Sequence, residues 1–262
     1  MNVKKLTFEK ESVNRILKEI DSFTGWHMSM GKEKCNILRQ AISDHNKHIK
    51  HTTGIHLEFG GYIGYSALCV STLPIVKSII SIERNPIFAA FARTIIEKAG
   101  MSNKIKIHVG EFISFVETMT SAIEVTPSNN PKEIQLSSVF FDHWKDNYLP
   151  SLKEMENNST MLSNNVIIIA DNIIHPGVPK EYLNYVRDSA PYLVSRTRGG
   201  EKEVVYDDFV EHVEWKSKTL YTAGPEHLEE FKKWIHDGLE ISTRKTNLKN
   251  RINHVKREKV NL

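Results

Sequence analysis

Short apolar, β-branched runs alternate along the chain with segments whose apolar positions recur at helical spacing. The runs Ile55–Phe59, Ser78–Ile82, Ile105–Val109, Ser137–Phe141 and Val166–Ala170 read as strands, and two more are expected near Glu203–Tyr206 and Thr219–Thr222. Ile79-Ile80-Ser81-Ile82 and Val166-Ile167-Ile168-Ile169 lack the strict alternation of a half-solvated strand. Continuous apolar runs suit central strands covered by helices on both faces. Strands alternating with helices predict a mainly parallel sheet. Ile87–Ala99 reads as a helix, with Pro86 in a first turn that tolerates proline and Gly100 at its close. Glu9–Ser22 and Lys32–Ile42 read as amphipathic helices able to roof the carboxyl edge of the sheet. The stretch Thr126-Pro127-Ser128-Asn129-Asn130-Pro131 reads as a loop insertion, and no internal repeat is visible.

A chain of 262 residues with 40% hydrophobic content can bury one sizeable core. No apolar run is long enough to cross a bilayer, and the first residues, Met1-Asn2-Val3-Lys4-Lys5, lead into polar sequence rather than an export signal. Cys35 and Cys69 form no C-x-x-C pair and read as free thiols, which points to a reducing, cytoplasmic setting. The net charge of +3 is unevenly spread. Arg244, Lys245, Lys249, Arg251, Lys256, Arg257 and Lys259 stand against Glu258 alone, so the rest of the chain is net negative. That excludes a general basic surface for nucleic acid. The expected organisation is a single domain over residues 1–240 followed by a basic tail, 241–262, read as solvated rather than polyanion-binding. A monomer is expected.

Three constellations carry chemistry. Glu58-Phe59-Gly60-Gly61-Tyr62-Ile63-Gly64-Tyr65-Ser66 follows the first strand and opens a helix, where glycines allow a tight turn and close approach of a ligand to backbone. Glu83 ends the second strand, 25 residues after Glu58, where a carboxylate can accept from ribose hydroxyls. The spacing E-x-G-x-x-x-G departs from the dinucleotide pattern and suits S-adenosylmethionine better. Phe141-Asp142-His143-Trp144-Lys145-Asp146 and Ala170-Asp171-Asn172 follow the fourth and fifth strands. Asp142, Asp171 and Asn172 could simply cap the next helices. Three hard oxygens at neighbouring strand ends favour Mg²⁺ instead.

Asp142-His143-Trp144-Lys145-Asp146 with Tyr148-Leu149-Pro150, Ala170-Asp171-Asn172-Ile173-Ile174-His175-Pro176-Gly177-Val178-Pro179, and the glycine segment closely resemble the catechol O-methyltransferase family. Trp26-His27-Met28-Ser29-Met30-Gly31-Lys32 is a weaker match to its substrate lip, and the resemblance runs from about Ile16 to Pro225. It implies an S-adenosylmethionine-dependent, Mg²⁺-assisted methyl transfer to a small catechol. Asp142, Asp171 and Asn172 match the metal ligands and Lys145 the general base. Met30, Glu58, Gly60, Tyr62, Ser66, Glu83, Arg84, His143 and Trp144 fall at cofactor-contact positions. Trp26, Met28, Trp144 and Pro176 match the walls around the ring, with Lys145 and Asn172 facing the reacting hydroxyl. The expected fold class is α/β: a Rossmann-like, seven-stranded, mainly parallel sheet with helices on both faces and the N-terminal helices capping the active-site edge.

The chain also departs from the family. Phe112-Ile113 stand where a Ser-Gln pair lies against adenine, and Arg84 follows the ribose acid in place of an apolar residue. Anchoring on Leu220-Tyr221 puts Asp208 where the family's Glu contacts the second hydroxyl, with Glu211 as the alternative. His175 and Asp207 replace apolar wall residues. Competing readings are a related Mg²⁺ enzyme on another phenol, such as an acyl-CoA-linked one, a nucleic-acid methyltransferase, and a non-catalytic binding protein. Asn85-Pro86-Ile87-Phe88 superficially resembles an amino-methylating motif, but Ile87 breaks it.

Overall fold

The computed structural model describes residues 3–23, 28–47, 49, 53–111, 115, 135–157, 161–173, 177–188, 194–198, 201–205, 215–222 and 237–244. Two helices come first, α1 (Val3–Asp21) and α2 (Gly31–Asn46). There follow β1 (Ile55–Phe59), α3 (Tyr65–Ser71), β2 (Ser78–Glu83), α4 (Pro86–Lys98), β3 (Ile105–Val109) and β4 (Leu136–Phe141). A short 3₁₀ turn, Lys145–Asn147, leads into α5 (Tyr148–Asn157), then β5 (Leu162–Ala170) and α6 (Lys180–Asp188). The last strands are β6 (Val194–Arg198), β7 (Glu201–Val205), β8 (Trp215–Thr222) and β9 (Asp237–Arg244).

The large sheet runs β3-β2-β1-β4-β5-β9-β8. Its first five strands are parallel, and β9 is antiparallel to both neighbours. Strand order reverses between β1 and β4, opening a crevice at their carboxyl ends. Consecutive residues of one strand serve opposite faces. Ile168 joins Leu57, Val139 and Phe141 under Tyr148, Leu152 and Tyr182 of α5 and α6. Ile167 and Ile169 join Ile79 and Phe140 under Leu38, Ile42, Leu68 and Ile96 of α2, α3 and α4. This two-sided burial explains the unbroken apolar runs. Asn85 caps α4 by accepting the Ile87 N–H at 2.9 Å, with Pro86 in the first turn.

Three expectations change. The strand expected at Glu203–Tyr206 overlaps β7, which pairs with β6 in a separate hairpin and not with the large sheet. The place beside β5 belongs to β9, which runs through position 240, where domain and tail were divided. Residues 241–244 are therefore sheet, and only the chain beyond Arg244 can be tail. Cys35 and Cys69 are not free thiols but form a disulfide, joining α2 to α3 within a small buried group that includes Tyr65. The free-thiol argument for a reducing compartment goes with them. The helix α2 lies along β5, from Lys34 beside Asp171 to His45, whose Nε2 meets the Asn165 carbonyl at 2.8 Å; its first turn reaches the carboxyl edge. No helix among the described residues is long and apolar enough to cross a membrane.

Candidate functional site

At the crevice, the turn after β1 is held first by its own backbone. The Gly60 and Gly61 N–H groups both donate to the Ile82 carbonyl, at 2.9 and 3.1 Å. Gly60 has φ +87°, and a Cβ there would sit 2.2 Å from the Asp142 carbonyl oxygen. A Cβ on Gly61 would meet the Ser81 hydroxyl at 2.2 Å. Both positions thus require glycine because neighbouring strands pass so close. Tyr62 follows with φ +43°, and its ring meets Phe88 edge-on.

Two carboxylates brace this turn. Glu83 accepts the Tyr62 N–H on one oxygen and the Asn85 N–H on the other, both at 2.7 Å. Glu58 is buried on β1, with Oε1 accepting from the Ser81 hydroxyl at 2.6 Å. Its Oε2 has no hydrogen-bond partner among the described residues. The buried Ser66 hydroxyl, in the first turn of α3, is near enough to favour the ionised form without meeting hydrogen-bond geometry on Oε2. Burial nevertheless pushes Glu58 up to about 7, and Glu83 adds to the rise.

The other half of the edge is built by charge. Phe141 pairs with Ala170, so Asp142 and Asp171 each stand one residue past a matched pair of strand ends. The Asp142 N–H donates to Phe59 O at 3.0 Å and the Asp171 N–H to Phe141 O at 2.8 Å, tying β1, β4 and β5 together at this level. Asp171 is buried, and its Oδ1 accepts the Asn172 N–H at 2.6 Å and the Lys34 ammonium at 2.7 Å. Asn172 sits at φ +50°. The Tyr148 hydroxyl donates to the Asp171 carbonyl at 3.1 Å from below. Burial, Asp171 and Glu58 together hold the Asp142 carboxyl well above its ordinary range, while Lys34 and Lys145 oppose them. Among the described residues no group of three or more His, Cys, Asp or Glu side chains could hold a metal, so any hard-cation site here rests on two carboxylates and an amide.

The remaining expected residues are placed as follows. Lys145 opens the 3₁₀ turn on the Asp142 side. Trp144 is 72% exposed, its indole N–H donating to Asp146 at 3.0 Å. The His143 ring packs against Phe59, Phe141 and Tyr148, and burial pushes it down to about 4. Met28 is 50% exposed, while Met30 is half-buried against the disulfide group. Arg84 is exposed and faces Glu111 at 3.8 Å. Trp26, Pro176 and Asp208 lie outside the described residues, as do His175, Asp207, Glu211 and the Phe112-Ile113 pair. Sequence reasoning missed Lys34 and Tyr148. The one signal for Lys34 was its place directly before the buried helical stripe Cys35, Leu38 and Ile42.

A family model described as O-methyltransferase matches residues 7–190. The chain is 35% identical over 181 residues to catechol O-methyltransferase B of Danio rerio, covering 68% of this chain and 62% of that protein. It is 29% identical over 184 residues to catechol O-methyltransferase of Bos taurus, covering 69% and 62%. The matched region thus spans 62% of the length of these relatives. Among solved structures, a Bacillus cereus O-methyltransferase in complex with SAH aligns with TM-score 0.56 at 16% identity, covering 90% of each chain. A Streptomyces achromogenes O-methyltransferase involved in tomaymycin synthesis aligns with TM-score 0.57 at 15% identity, covering 89% of each. These two share the fold. The strand order, the glycine turn and the extent of the family match lead to one statement: the chain belongs to the O-methyltransferase family.

Proposed function

We propose that the chain transfers a methyl group from S-adenosylmethionine to one hydroxyl of a catechol, with Mg²⁺ held by Asp142, Asp171 and Asn172. One placement carries the reading: two carboxylates stand one residue past the Phe141–Ala170 pair and an amide two, at adjacent strand ends beside the glycine turn. The donor set fits Mg²⁺, which prefers hard oxygens and keeps positions for water and substrate. The cofactor also fits. Glu58 Oε2, beside the glycine turn, is a buried acceptor suited to a cationic amino group. Each Glu83 oxygen retains a lone pair for a ribose hydroxyl beside the backbone N–H it already accepts. The family resemblance adds Met30, Tyr62, Ser66, Arg84, His143 and Trp144 to the cofactor surround.

A sulfonium methyl group needs an oxyanion nucleophile, yet a phenolic hydroxyl ionises only near 10. Mg²⁺ held by Asp142, Asp171 and Asn172 would favour the ionised hydroxyl and would select a vicinal diol over a lone phenol. Lys145 is the residue that takes the hydroxyl proton. Met28 and Trp144 supply apolar surface for the ring. The family resemblance assigns Trp26 and Pro176 to the same wall and Asp208 to the second hydroxyl.

Chelation with EDTA is expected to abolish methyl transfer to a small catechol, and Mg²⁺ to restore it. Lys145→Ala should lower kcat by roughly 10²–10⁴ while leaving calorimetric cofactor affinity unchanged. Full activity in excess chelator would overturn the metal assignment, and equal rates on a monophenol would overturn the catechol.

A further inference from the structure

The carboxylate half of the site holds a cation that the reaction scheme does not use. Lys34 projects from the first turn of α2 with its side chain only 12% exposed, and its ammonium lies 2.7 Å from Oδ1 of Asp171, whose side chain is 2% exposed. Asp171, Asp142 and Glu58 are near enough that both other carboxylates act on Asp142. Converging buried carboxylates cost several kcal/mol each in lost solvation unless cations compensate. Lys145 contributes, but the proposed reaction already uses it as the base. Lys34 reaches the same group from the opposite layer, on a helix clamped to α3 by the Cys35–Cys69 bridge one residue later.

We propose that Lys34 is the resident counter-ion of the carboxylate pair: it keeps the site folded when no metal is bound and competes with the divalent cation for Asp171. This rests on the Mg²⁺ reading above. An ammonium and a divalent ion answer the same negative charge, so each makes the other less necessary, and their mutual repulsion weakens metal binding. Lys34 acts on the metal through Asp171, and is therefore a positioning residue.

Thermal unfolding of the intact chain, in EDTA and at one fixed excess of Mg²⁺, tests this on wild type, Lys34→Met and Lys34→Arg. The methionine variant keeps most of the stem and loses the charge. Its Tm in EDTA should fall by about 5 °C or more. Its Mg²⁺-induced rise should exceed that of the wild type, because the competitor is gone. Lys34→Arg should follow the wild type on both measures. A merely structural stem would lower both Tm values equally and leave the rise unchanged, which would overturn the proposal, as would a smaller rise. A rise present in wild type but equal in Lys34→Met refutes the counter-ion role alone. Absence of any rise in all three chains refutes the metal reading and the competition with it.

Discussion

The two halves of the carboxyl edge are built on different physics. The glycine half is held mainly by neutral contacts: two N–H groups on the Ile82 carbonyl, two more on the Glu83 carboxylate, and glycines forced by the Asp142 carbonyl and the Ser81 hydroxyl. The carboxylate half is held by opposed charges: Asp142 and Asp171 against Lys34 and Lys145. Close contacts and bonds to the Ile82 carbonyl do not change with pH or ionic conditions, whereas the balance of buried charge does. The first half should therefore break by sterics and the second should tune by charge.

The largest effect should come from adding one carbon to the rigid half. Gly60→Ala combines a positive φ with a Cβ driven into the Asp142 carbonyl oxygen, and backbone cannot yield as a side chain can. A loss of about 3–5 kcal/mol is expected by denaturant unfolding, with cofactor binding lost as well. A small loss would show that the two halves are not locked at this point.

Glu58 joins the halves, and its charge can be removed without changing its shape. Its carboxyl is raised to about 7, so the folded chain keeps a proton that the unfolded chain releases near 4.5. Stability should then fall as pH rises between those values, by roughly 3 kcal/mol for the ligand-free protein. Glu58→Gln should lack that slope. Its Tm relative to wild type should climb from pH 4.5 to 8, and parallel Tm curves would place Glu58 in ordinary solvent.

The smallest effect should lie farthest from both halves. Truncation after Arg244 removes the basic run but leaves β9 whole, and Tm and methyl transfer should stay close to the full chain. Truncation after Gly238 removes Glu240, which takes two hydrogen bonds from Arg187 at 3.0 and 2.9 Å, and should unfold the sheet beside Asp171. Equal tolerance of both cuts would mean that β9 adds nothing to the edge.

Most of what positions the site was legible because its strands are buried on both faces and its turns need particular residues. The runs of β1, β2, β4 and β5, the glycine turn and Pro86 all announce themselves in this way. Strand β9 did not, because Asp237-Gly238-Leu239-Glu240-Ile241-Ser242-Thr243-Arg244 carries polar residues where burial predicts apolar ones. Glu240 and Ser242 are buried all the same, Glu240 through its pairing with Arg187. A polar pattern made tolerable by a distant partner cannot be seen in a local window. The β6–β7 hairpin had a usable signal in Gly199-Gly200 between two polar runs, but its separation from the sheet is a matter of tertiary pairing. Lys34 was hidden for a similar reason, since a helix-start lysine looks solvated until the sheet brings Asp171 under it.

The disulfide carries a consequence for the chain before it folds. Cys35 and Cys69 are separated by 34 residues, and closing that loop removes about 3–4 kcal/mol of conformational freedom from the unfolded ensemble in the chain-entropy model. The closed loop contains the rest of α2, all of β1 and the glycine turn, up to the middle of α3. Oxidised and reduced preparations therefore begin folding from ensembles of different breadth.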